Sequence, residues 1–74
     1  MSVVQKHSVT IRGHRTSYSL EKPFFDELAT IAARRNLSLA GLIAEIDADR
    51  PRETNLSSAL RLFVLEEAKR SRVG

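Results

Sequence analysis

The sequence predicts a mostly helical single domain led by a short β-ribbon, and three observations predict it. Residues 8–20 alternate apolar and polar with a period of two, whereas residues 23–69 carry apolar stripes at helical spacing in three separate runs. A chain of 74 residues also has room for one core only. A lone monomer of this size buries barely enough surface to offset its conformational entropy. With no cysteine for disulfides or thiolate metal sites, a homodimer is the expected supplement.

Residues 1–7 have little pattern and read as a flexible basic arm, residues 8–70 as the folded domain, and residues 71–74 as a frayed tail. Val9 and Ile11 are apolar at odd positions and Tyr18 and Leu20 at even ones, which predicts a bulge or bend at Gly13 between them. Pro23, with its fixed φ, suits the start of a first helix running to about residue 35, striped by Phe24, Leu28 and Ile31. Asn36 tolerates the left-handed conformation that ends it. Ser38 caps a second helix striped by Leu39, Leu42, Ile43 and Ile46 and broken over residues 47–54. Only Leu37 separates stop from start, so the two helices must cross sharply. Leu56, Leu60, Phe63 and Val64 stripe a third helix from residue 55 or 57 to residue 69.

Charge is distributed unevenly. The first twenty residues hold Lys6, Arg12, Arg15 and both histidines without one acid, so the net charge of +3 resides there and the remainder sums to zero. Within this region, residues 15–20 place Arg15, Ser17 and Ser19 on one strand face and Thr16, Tyr18 and Leu20 on the other. The first face suits nucleic acid: a guanidinium pairs both acceptors of guanine, and hydroxyls donate to or accept from several bases. Lys6 and Arg12 suit phosphates. The competing reading of the same residues is the wet face of an ordinary ribbon.

Other chemistry is not expected. His7 and His14 lack the carboxylates or thiolates that would complete a metal site or a catalytic pair, and Asp47, Asp49 and Glu53 straddle a charged connector. Tyr18, Phe24, Phe25 and Phe63 fall in phase with the core. No cofactor and no enzymatic activity are expected. The longest apolar run, residues 62–65, is too short for a bilayer and residues 1–20 do not resemble a secretory signal, so the expectation is a cytoplasmic protein without membrane contact.

A single strand exposes unpaired backbone on both edges, and pairing it antiparallel with a twin solves this. On the strand of residues 15–20, the helix from Phe24, the Asn36-Leu37-Ser38 turn and the helix from Leu39, the sequence resembles the ribbon-helix-helix family. The flanks, residues 8–17 (SVTIRGHRTS) and 55–61 (NLSSALR), look like a compact bacterial subfamily. The resemblance implies an intertwined homodimer whose antiparallel ribbon enters the major groove of double-stranded DNA, as a sequence-specific transcriptional regulator. By position it assigns base reading to Arg15, Ser17 and Ser19. It also assigns a phosphate clamp to Ser38 with the amides of Leu39 and Ala40.

Asn36 replaces the family's usual turn glycine, and Ala40 replaces a small hydroxyl residue, which removes one phosphate hydrogen bond. The third helix exceeds the minimal pattern. It supports an alternative, a protein-interaction or antitoxin-like dimerisation module, with the third helix building a tetramer or receiving a protein partner.

Overall fold

In the computed structural model, which describes residues 3–73, two strands precede three helices: β1 (Val4–Ile11), β2 (His14–Glu21), α1 (Lys22–Arg34), α2 (Leu39–Asp49) and α3 (Leu56–Val73). The mostly helical class, the ribbon and the third helix are as the sequence predicts. The origin of the ribbon is different. β1 pairs antiparallel with β2 of the same chain, from Ile11 opposite His14 to Val4 opposite Glu21. The second strand is therefore supplied by the chain's own N-terminal segment and not by a twin.

Three expected boundaries change with it. Residues 4–7, expected in a flexible arm, are the first half of β1, while Met1 and Ser2 lie outside the described residues. Gly13 marks a complete reversal and not a bulge: Arg12 and Gly13 form a two-residue turn at φ 51° and 80°, the left-handed pair that matches strand twist. At the other end α3 continues through Val73, beyond the expected fraying point at residue 71, and Gly74 lies outside the described residues.

The reversal also explains the change of phase. Each odd-numbered residue of β1 stands opposite an even-numbered residue of β2, so Val9, Ile11, Tyr18 and Leu20 share one face. Leu28, Ile31, Ala32, Leu42, Ile43, Ile46, Leu56, Ala59, Leu60 and Val64 close on that face to complete the core. Phe24, Phe25 and Phe63 pack against it at partial burial. His7 lies on the same face, its ring stacked 4.3 Å from Phe25 and 5.3 Å from Tyr18. Deleting a fully buried side chain such as Leu20 or Leu42 removes both transfer energy and packing, about 2–5 kcal/mol.

The helix ends follow local chemistry. Pro23 sits in the first turn of α1, where its missing amide hydrogen has no partner to lose. Asn36 takes φ 57° after α1, and the Leu37 amide donates back to the Ala32 carbonyl. Ser38 caps α2 through its Oγ, which accepts from the Gly41 amide at 3.0 Å. A Cβ on Gly41 would stand 3.0 Å from that oxygen, so the cap and the small residue belong together. Asn55 does the same for α3, its Oδ1 accepting from the Ser58 amide at 2.8 Å.

Candidate nucleic-acid interface

The face of the ribbon turned away from the core collects the residues expected to read bases. Register places Lys6 opposite Ser19, Ser8 opposite Ser17 and Thr10 opposite Arg15, all on this outer face. Arg15 and Ser17 are exposed and Ser19 is half-buried. The three residues expected to read bases are thus brought onto one surface. Ser8 and Thr10 join them from β1, although sequence reasoning gave them no role. Their signal was the alternation itself: polar Ser8 and Thr10 interleave with buried Val9 and Ile11.

This surface has an unbalanced charge. Lys6 and Arg15 lie on it and Arg12 stands exposed in the turn, while Glu21 is the only acid of either strand. Glu21 is already engaged by Arg61 of α3, whose Nε donates to its carboxylate at 2.9 Å. That hydrogen bond, aided by a backbone donor and by the cation's field, holds the Glu21 carboxyl below its ordinary value. Apart from Val4 at its end, the rest of the face is left with hydroxyls and cations.

α3 also braces one edge of the ribbon. Ile11 and His14 close the turn as a hydrogen-bonded pair, and alternation then points the backbone groups of Arg15, Ser17 and Ser19 away from β1. At Ser19 those groups are taken: its amide donates to Ser57 Oγ at 2.8 Å, and Arg61 Nη2 donates to its carbonyl at 3.4 Å. The β2 edge, where a twin strand was expected, is therefore partly occupied.

The candidate phosphate contacts do not gather in one place. Lys6 is exposed on the outer face of β1, and Arg12 lies at the turn beside the C-terminal end of α2, sharing a small hollow with His14, Thr16, Asp47 and Arg50. Ser38, Leu39 and Ala40 form the other end of α2. An eleven-residue helix puts them about 16 Å away along its axis. Leu39 and Ala40 sit in the first turn, where amides have no intrahelical acceptor. That turn can receive an anion, with Ser38 Oγ committed to Gly41.

The model of the ribbon-helix-helix domain matches residues 4–68, which is most of the chain and includes β1, β2, α1, α2 and most of α3. The chain belongs to the ribbon-helix-helix domain family. Proteins of this family are generally DNA-binding regulators that typically dimerise, and the fold is not typically enzymatic. No curated protein and no solved structure matches the chain. Among the described residues no helix is long and apolar enough to cross a membrane.

Proposed function

We propose that the chain is a sequence-specific double-stranded DNA-binding protein that regulates transcription from the cytoplasm, with its ribbon in the major groove. The observation that carries this reading is the outer face of the hairpin, where Arg15, Ser17, Lys6, Ser8 and Thr10 are exposed together and Glu21, the only acid of the two strands, is paired with Arg61. A two-stranded ribbon fits the width of the major groove, and alternate side chains then face the base edges. Arg15, Ser17 and Ser19 read bases. Lys6 and Arg12 hold phosphates near the ribbon, and Ser38 with the amides of Leu39 and Ala40 holds a more distant one.

The test is anisotropy of labelled duplexes, one from the DNA upstream of the protein's own gene and one scrambled. Arg15→Ala should erase a preference for the first duplex, worth about 1–3 kcal/mol for a bidentate contact. Lys6→Ala should weaken both duplexes alike and reduce the salt slope by about one. Equal binding of both duplexes by the wild type would contradict sequence-specific reading of that DNA. The interaction-module reading is supported by one further observation, two exposed leucines on α3, Leu62 and Leu65.

A further inference from the structure

We propose that Ser8 and Thr10 of β1 read base edges alongside Arg15 and Ser17, so that the DNA element beneath one ribbon is not its own reverse complement. Recognition of such an element rests on the DNA-binding reading proposed above. The asymmetry originates in the pairing, because β1 and β2 belong to one chain and differ in sequence. The outer face carries Lys6, Ser8 and Thr10 on one strand against Ser19, Ser17 and Arg15 on the other.

Depth decides whether β1 takes part. Ser17 has a short side chain, so it meets a base edge only where the ribbon backbone lies close to the groove floor. Ser8 stands directly opposite Ser17 and is likewise exposed, with the two Cβ atoms about 5 Å apart on one face. What brings one hydroxyl to the bases brings the other. Thr10 holds the same relation to Arg15, one rung nearer the turn. Once water is displaced from the groove, an unpaired hydroxyl costs free energy, so both hydroxyls of β1 favour sequences that offer them a donor or an acceptor. Thr10 adds a methyl group, which suits contact with the methyl of thymine.

The rungs themselves are unequal. The guanidinium of Arg15 can take both acceptors of a guanine, whereas Thr10 opposite cannot. A ribbon built from two copies of β2 would present Arg15 on each strand, and a two-fold protein surface reads a palindrome. Here Arg15 occurs once per ribbon. Rungs two residues apart are separated by about 7 Å, so the outer face from Thr10–Arg15 to Lys6–Ser19 spans about 14 Å, or roughly five base pairs. Within that element the guanine read by Arg15 has no dyad-related counterpart. A second chain adds a second element of the same kind and leaves each one asymmetric.

Selection from duplexes with a randomised segment tests it, using the full chain and the separate variants Ser8→Ala, Thr10→Ala and Arg15→Ala, each checked for helicity by circular dichroism. All three positions are exposed, so the variants should fold. The wild type should enrich an element with one Arg15-dependent guanine and no dyad-related guanine within about five base pairs. Ser8→Ala and Thr10→Ala should each lower discrimination roughly two- to tenfold at one base pair, different from the one that Arg15→Ala relaxes. An unchanged preference in either β1 variant, while Arg15→Ala relaxes its guanine, would overturn this proposal and leave the reading above standing. So would Arg15-dependent guanines in dyad-related pairs within one element. Absence of any enriched sequence with the wild type would overturn the reading above, and this proposal with it.

Discussion

Gly13 holds φ 80° with open space where a Cβ would stand, so the constraint on it is conformational and not steric. Gly13→Ala should therefore cost about 1 kcal/mol, read as a lower urea midpoint at unchanged slope. Two single residues also set pH dependence. Arg61 holds the Glu21 carboxyl below its ordinary value of 4.5, so this pair stabilises the fold above that pH and the stabilisation is lost as pH falls through the lowered value. Glu21→Gln should flatten that part of the acid-unfolding profile. Tyr18 works in the opposite range: burial raises its hydroxyl above 10.0, so stability is retained below that pH and lost as pH rises through the raised value. Tyr18→Phe should flatten the alkaline decline. Acid and alkaline titrations of the two variants against wild type, followed by circular dichroism, would show either effect.

Elements differ in how far they could be read in the sequence. The three helices were legible because each carries its own punctuation: Pro23 at one start, Ser38 and Asn55 as caps, Asn36 at one stop. β1 was not, because Gln5, Lys6 and His7 break the alternation that Val9 and Ile11 begin, so only its second half looked like a strand. The missed hairpin was nonetheless written in the parity change across Arg12-Gly13, which a two-residue turn requires if both strands are to bury one face. The outer face was half legible for the same reason: Arg15, Ser17 and Ser19 were visible from β2, whereas Ser8 and Thr10 needed β1. No local pattern reveals the brace from α3, since Ser57 and Arg61 lie 38 and 42 residues from Ser19. Ser57→Ala should expose the Ser19 amide, and hydrogen exchange at that one site should quicken while the centre of β2 is unaffected. Arg61→Ala should lower the urea midpoint, because it removes the hydrogen bonds that Arg61 donates to the Glu21 carboxylate and the Ser19 carbonyl.

As a whole the molecule is a charge-balanced helical body with a cationic ribbon along one side. The +3 formal charge comes entirely from residues 1–20, most of which fold into that ribbon. Binding of DNA should accordingly weaken steeply with salt through the ribbon cations. The measurement that tests the central claim most directly is a titration of the labelled protein with a DNA duplex, followed by amide chemical shifts. The account predicts shifts at Lys6, Ser8, Thr10, Arg12, Arg15 and Ser17, with a second group at Leu39 and Ala40, and none at Leu62 or Glu66 of α3. Shifts confined to α3, with the ribbon amides unmoved at saturation, would contradict it.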